Sequence, residues 1–298
     1  MDDLLSRLPP GSRVAVIRLR SLGDCALTTP ALSLLESFRP DLEIGVVVDR
    51  PFAAVFEGWR ILEPNAAAVA RFRPSLSINL HGGTRSMWLT AASRARMRAG
   101  FAHHRYSFVY STRIPRAQEI LRVDRKVHTA EHLASAMFYL GVPQTEIPRA
   151  KLIAAPSPIP APYAVIHPFA SASGKTWPAG KFIEISQRLR ESGLDPIILA
   201  GPTDEPAQFH HYQTWRNEPI ERVKSLLAGA QLFVGNDSGP AHIAAAFGIP
   251  IVMLFGESDP VIWAPWRTES QVLTAPYGIG AISTDRVWSA IESLKVKA

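Results

Sequence analysis

The chain has 298 residues, enough for two domains of ordinary size, and its 47% hydrophobic and 19% charged content is a globular balance. One cysteine, Cys25, excludes an internal disulfide; no run of about 18 apolar residues suggests a helical membrane span; and the acidic start Met1-Asp2-Asp3 leads to no apolar stretch of signal-peptide type. The net charge of +6 is uneven, with 20 Lys and Arg against 13 Asp and Glu in residues 1–150 and 12 against 13 in residues 151–298.

Residues 13–17 (Arg-Val-Ala-Val-Ile) predict a buried strand, followed by a polar loop over 18–24. Thr28-Thr29-Pro30-Ala31-Leu32 predicts the start of a helix, where proline is tolerated in the first turn. Strands follow at 43–48 and 76–80, with helices at 86–95 and 129–140. Four prolines between 156 and 162 mark a linker, since proline suits neither a helix interior nor a central strand. The pattern then restarts, with strands at 163–166, 196–200, 232–234 and 250–255 and helices at 179–192 and 240–247. Strands alternating with helices predict parallel sheets, so the fold class is α/β with two Rossmann-like domains, 1–155 and 156–298. Ligands of such sheets bind beyond the carboxyl ends of the strands.

Three stretches fall at those ends. Gly235-Asn236-Asp237-Ser238-Gly239 leads from a strand into a helix near Pro240, and a helix N-terminus offers free N–H groups and a positive dipole end to a diphosphate. Ser238 can donate to phosphate oxygens, and His242 lies within the first helical turn. Asp237 repels phosphate, so it suits a sugar hydroxyl or a helix cap; a plain capped helix reads equally well. His167 to Pro178 is small, polar and flexible, and its Lys175 can neutralise a leaving diphosphate or simply be a surface lysine. It is not a Walker loop, because Phe169 stands where the first glycine belongs. Gly256-Glu257-Ser258-Asp259-Pro260 is a turn signal after a strand. In the first half, Asp24 after the first strand can serve as a general base or as a loop carboxylate, and Cys25 reads as a small buried residue. The arginines between 94 and 125, with Lys126, make either a solvated basic face or a field for an anionic partner. No nucleic-acid motif accompanies them, and no His or Cys cluster has metal spacing.

Taken in order, Leu22-Gly23-Asp24 with Thr28 to Leu32, Lys175-Thr176-Trp177-Pro178, Asp237 to Ala246, and Gly256 to Pro260 resemble glycosyltransferase family 9, the heptosyltransferases of lipopolysaccharide core synthesis. Asn79-Leu80-His81-Gly82 before Arg85-Ser86, and the helix around His128 and Glu131, are weaker matches. The resemblance implies a GT-B fold, two Rossmann-like domains facing across a central cleft, with the last helix free to pack back on the first. It implies inverting transfer of a heptose from ADP-heptose to a sugar of a lipopolysaccharide inner-core glycolipid, with neither metal nor cofactor. Asp24 would be the catalytic base. Ser171, Ser173, Lys175, Asp237, Ser238, Gly239 and His242 would bind the donor, and Arg18, Arg20, Ser21, Gly23 and Arg85 the acceptor. The partners expected are a nucleotide sugar and an anionic glycolipid at the inner membrane, with no nucleic acid, for a cytoplasmic protein peripheral to that membrane. Glu257-Ser258 departs from the Pro-Thr common in the family's last motif, which leaves the sugars open. The rivals are a family 9 transferase with another donor or acceptor, a GT-B sugar-nucleotide epimerase, and a non-catalytic nucleotide-sugar binding protein or membrane-surface scaffold. A nicotinamide dehydrogenase is disfavoured, because residues 18–24 contain no GxGxxG.

Overall fold

The structure is a computed structural model that describes residues 3–160 and 162–294; Met1 and Asp2 of the acidic start and Ala161 of the proline-rich stretch lie outside them. The chain divides into two compact units, Met1–Lys151 and Leu152–Ala298.

The first unit contains, in order, β1 (Arg13–Ile17), α1 (Leu22–Phe38), β2 (Glu43–Val47), β3 (Arg60–Leu62), α2 (Ala66–Phe72) and β4 (Leu76–Asn79). It continues with α3 (Thr84–Ala92), β5 (Met97–Phe101), β6 (Thr112–Ile114), α4 (Ala117–Leu121) and α5 (Thr129–Leu140). Its sheet runs β3-β2-β1-β4-β5-β6, and every pairing is parallel. β1 lies at the centre with Val14 to Ile17 buried, which is why it reads as a continuous apolar run rather than an alternating one. Ala15, Ile17 and Leu19 pack with Val47, Leu62, Val69, Phe72 and Leu89 in a core cluster of this unit.

The second unit repeats the plan. It contains β7 (Tyr163–His167), α6 (Ala179–Glu191), β8 (Asp195–Ala200), β9 (Gln213–Arg216), α7 (Ile220–Ala228) and β10 (Leu232–Asn236). Then come α8 (Gly239–Phe247), β11 (Ile251–Leu254), α9 (Pro260–Trp263), β12 (Ser270–Leu273) and α10 (Thr284–Ser293). The order is β12-β11-β10-β7-β8-β9, again all parallel. Trp177 is fully buried in this core, its indole N–H donating to Ile282 O at 3.0 Å. α10 buries Val287, Ala290 and Ile291 in the same core, so the last helix spends its apolar face on its own unit.

One expectation is corrected. The first helix opens at Leu22, not at Thr28, so Gly23 and Asp24 belong to its first turn and Pro30 lies inside it. Proline there lacks the N–H that would bond to the Ala26 carbonyl. The Thr29 hydroxyl donates to that carbonyl instead, at 2.8 Å, which keeps the helix satisfied through Pro30.

Both sheets reverse strand order beside their first strand, between β1 and β4 and between β7 and β10. The carboxyl ends of those strands are therefore the topological switch points where ligands of open α/β sheets bind.

Candidate functional site

At the first switch point, the chain leaves β1 through Arg18 to Ser21 and enters α1. Ser21 holds the N-cap position with extended backbone, and Asp24 follows in the first turn, where the helix dipole favours a negative charge. Both carboxylate oxygens of Asp24 are held. Arg18 Nη2 lies 3.3 Å from Oδ1, and Ser21 Oγ donates to Oδ2 at 2.9 Å. Arg18 is only 6% exposed, and its Nε donates to Thr28 Oγ1 at 3.0 Å. Thr28 Oγ1 in turn donates to the Asp24 carbonyl at 2.7 Å. Asp24 keeps 26% of its side chain accessible, so the carboxylate is fixed in direction yet open to a ligand. Arg20 and Ser21 are exposed beside it and Gly23 is buried. Arg85, at the start of α3, instead pairs with Asp49 at 2.7 Å and donates to the Pro64 carbonyl at 3.3 Å. Cys25 is buried, and burial pushes its thiol up to about 12, as an inert packing residue requires.

His81, directly beyond β4, is half-buried. Its pKa lies below the ordinary histidine value chiefly through burial and then through the Arg18 charge. Three further histidines gather nearby. The His132 ring stacks on Phe101 at 4.0 Å, His103 and His104 lie 5.1 Å apart, and His103 and His132 are 5.5 Å apart. His104 Nδ1 lies 3.1 Å from the Tyr110 hydroxyl, and its ring packs where a Cβ on Gly82 would stand, which leaves room only for glycine there. Burial, followed by the charge of His103, holds both His104 and His132 down to about 4, so both rings are neutral near pH 7. Sequence reasoning missed this cluster: its members come from three separate stretches at no recognisable spacing. Among the described residues no group of three or more His, Cys, Asp or Glu is arranged to hold a metal ion.

At the second switch point two of the predicted donor residues, Lys175 and Asp237, meet. Lys175 Nζ lies 3.6 Å from Asp237 Oδ2, and the Asp237 side chain is only 9% exposed. Asp237 thus faces a lysine and does not cap the helix; Ser238 occupies the N-cap position of α8, without a side-chain cap bond. Ser171 and Ser173 are exposed on the loop, Ser173 opening the short turn that ends at Lys175. His242 is buried in the first half of α8, its ring 6.3 Å from that of Trp263 on α9.

Two features tie the loop to the sheet. The Trp177 backbone N–H donates to Asn236 Oδ1 at 3.0 Å, and the Gly174 carbonyl packs directly against Gly256 beyond β11. Three buried polar atoms at this end have no protein hydrogen-bond partner among the described residues: Asn236 Nδ2, Ser238 Oγ and Ser258 Oγ. Buried polar groups in native proteins are almost always paired, so such a concentration marks a place where a ligand or water supplies the bonds. Asn236 and Ser258 lie within the sequence motifs, which assign neither a role, and Trp263 carried no signal. No described helix is long and apolar enough to cross a membrane.

Comparison with known proteins gives the arrangement a family context. A profile described as glycosyltransferase family 9 (heptosyltransferase) matches residues 73–281. Lipopolysaccharide heptosyltransferase 3 of Escherichia coli is 35% identical over 115 residues, which make up 35% of this chain and 34% of that protein. The match thus spans about a third of the length of that relative. Lipopolysaccharide heptosyltransferase 1 of Escherichia coli (strain K12) is 24% identical over 304 residues, covering 89% of this chain and 94% of that protein. Two solved structures share the fold. The glycosyl transferase family 9 from Veillonella parvula DSM 2008 has a TM-score of 0.82 and 20% identity, covering 95% of this chain and 96% of that one. E. coli heptosyltransferase WaaC with ADP-2-deoxy-2-fluoro heptose has a TM-score of 0.73 and 22% identity, covering 94% and 99%.

Proposed function

The chain belongs to glycosyltransferase family 9 and has the GT-B fold, and from that premise we propose that it transfers a heptose from ADP-heptose to a sugar of a lipopolysaccharide inner-core glycolipid, with inversion and without a metal. The observation that carries the reading is Asp24, a partly open carboxylate whose two oxygens are fixed by Arg18 and Ser21 at the switch point of the first sheet.

In this mechanism Asp24 takes the proton from an acceptor hydroxyl. The acceptor oxygen forms a bond to the anomeric carbon from the face opposite the diphosphate. The bond from that carbon to the phosphate oxygen breaks, and ADP leaves with the electron pair. A direct displacement of this kind needs one base and no covalent intermediate, and it inverts the anomeric centre. Arg18 is a positioning residue, buried and acting through Asp24, while exposed Arg20 and Ser21 meet the acceptor with Gly23 behind them. Arg85 supports the same end through its pair with Asp49.

On the donor side, Lys175 and the N-terminus of α8 stabilise the charge that develops on the diphosphate. Ser238, Ser258 and Asn236 supply the donors that have no protein partner. Asp237 holds Lys175 in place and offers its other oxygen to a sugar hydroxyl, and in this proposal Ser171, Ser173, Gly239 and His242 are further donor contacts. We place the reaction at the cytoplasmic face of the inner membrane, where a lipid-anchored acceptor is presented.

The donor assignment is tested by thermal melting with ADP-, UDP- and GDP-sugars. ADP-heptose is expected to stabilise the protein selectively, and Lys175→Ala to abolish most of the shift. A larger shift with a UDP- or GDP-sugar would overturn the donor assignment. Turnover of the nucleotide sugar to an isomer without acceptor would point to an epimerase.

A further inference from the structure

Asn79, the last residue of β4, is fully buried, and both ends of its side-chain amide are engaged. Its Oδ1 accepts from the His81 and Gly82 backbone N–H groups, at 3.0 Å each. Its Nδ2 donates to Ser86 Oγ and Thr90 Oγ1 on α3, at 3.1 Å each. A satisfied buried network of this kind rigidifies the segment it holds, and that segment is the turn from β4 into α3. The turn is held from a second side, because Gly82 has a φ of +83° and the His104 ring fills the space its Cβ would need. Of residues 80–83, Leu80 is buried and two are glycines. His81 is therefore the one polar side chain this turn delivers.

Its place is beside the base. Ile17 and Asn79 are register partners on adjacent strands, and the Leu80 N–H donates to Ile17 O at 3.1 Å, so His81 leaves β4 next to where Arg18 leaves β1. The charges of Arg18, Asp24, Arg20 and Asp49 all act on its ring, which burial and then Arg18 keep neutral near pH 7. The two ring nitrogens differ. Nδ1 is buried with no hydrogen-bond partner among the described residues, whereas Nε2 is not sealed. A buried N–H without an acceptor is the costlier orphan, so the proton resides on Nε2.

We propose that His81 is an acceptor-binding residue that works beside Asp24, donating from Nε2 to a hydroxyl oxygen of the acceptor sugar. The inference rests on the transferase reading above and adds a second contact from the neighbouring strand. An uncharged donor fits this place. A cation there would add to Arg18 in lowering the basicity of Asp24, and a carboxylate would compete for the same proton. Contacts from two adjacent strand ends fix the acceptor in direction as well as position.

The test uses the full chain with ADP-heptose and a deacylated inner-core oligosaccharide as acceptor. His81→Phe keeps a ring and loses the donor. It should raise the acceptor KM about three- to tenfold, as loss of a neutral hydrogen bond does, with the donor KM and the melting shift with ADP unchanged. His81→Gln, whose amide nitrogen can stand where Nε2 stands, should restore most of that loss, and the shorter His81→Asn should not. A ring with only a packing role would give the opposite order, with Phe tolerated best. Nitrogen NMR of histidine-labelled protein reads the residue without turnover. The His81 signal, identified by its loss in His81→Gln, should report the Nε2–H form near pH 7 and shift when the oligosaccharide is added with ADP present. A parent that makes no product while this signal still responds would sink the transferase reading and leave the acceptor contact standing. A folded His81→Phe protein with the parent's acceptor KM, or a His81 signal indifferent to the oligosaccharide, would overturn the inference.

Discussion

Gly256 offers the sharpest perturbation of the donor seat, because the clash that a side chain would create can be read directly. A Cβ at Gly256 would lie 1.9 Å from the Gly174 carbonyl oxygen and 3.1 Å from the Lys175 Cα. Real Cβ atoms essentially never approach closer than 3.0 Å, so Gly256→Ala must open this contact by about 1.1 Å. Both partners are backbone, and neither can rotate away. The β11 side is anchored through the Phe255 N–H on Leu273 O at 2.9 Å, so the loop carrying Lys175 is the part that gives. Its far end is clamped by the Trp177–Asn236 bond, which concentrates the displacement on Ser173 to Lys175. A misplacement of about 1 Å at a positioning group costs on the order of a hundredfold in rate. Gly256→Ala is therefore expected to weaken ADP binding about tenfold and turnover about a hundredfold, while overpacking destabilises the fold by roughly 1–3 kcal/mol. Calorimetric titration with ADP, paired with a thermal melt, measures both. Gly180→Ala is the control, since a Cβ there meets nothing within 4 Å. A folded Gly256→Ala protein that binds ADP within about twofold of the parent would refute the claim that this contact sets the loop.

The remaining predictions concern the first unit. Thr28→Val removes the acceptor for Arg18 Nε and the donor to the Asp24 carbonyl, leaving a buried N–H unpaired at a cost of roughly 1–3 kcal/mol. It should lower kcat with ADP binding unchanged and be rescued by Thr28→Ser; a Val variant with normal kcat would remove Thr28 from the positioning role. His104 and His132 are held to about 4 in the folded protein and titrate near 6.5 when unfolded, so between those values the unfolded state binds more protons. Stability should therefore fall as pH drops from about 6.5 to about 4, by up to about 1.4 kcal/mol per pH unit per histidine, an upper limit because both rings touch solvent. Urea denaturation across that range checks this, and His132→Phe should flatten the slope while keeping the stack on Phe101.

Much of the architecture was legible because buried parallel strands announce themselves as short apolar runs, as with Val14 to Ile17 and Ile251 to Leu254. Edge strands such as Arg60–Leu62 and Gln213–Arg216 were not, being short, partly exposed and mixed in composition. The start of α1 was misjudged because Pro30 looks like a first-turn residue; only the Thr29 hydroxyl on Ala26 O shows how the helix passes through it. The motifs pointed to Lys175 and Asp237 separately, but their ion pair depends on β7 and β10 being neighbours across the switch point. The ring of histidines near His81 depends likewise on β4, β5 and α5 converging, which no local pattern encodes. Arg18, expected on the acceptor side from the resemblance, is committed to Thr28 and Asp24 through its burial, a property that residue type alone does not reveal.

The central claim is that Asp24 is the base of a heptosyl transfer, and Asp24→Asn tests it most directly, because the amide preserves shape and hydrogen bonding to Ser21 and Arg18 far better than a truncation does. With ADP-heptose and an inner-core glycolipid acceptor, product formation should drop by at least about a thousandfold in the variant, while the melting shift with ADP stays that of the parent. Product formed at the parent's rate by Asp24→Asn, with the same donor and acceptor, would contradict the account.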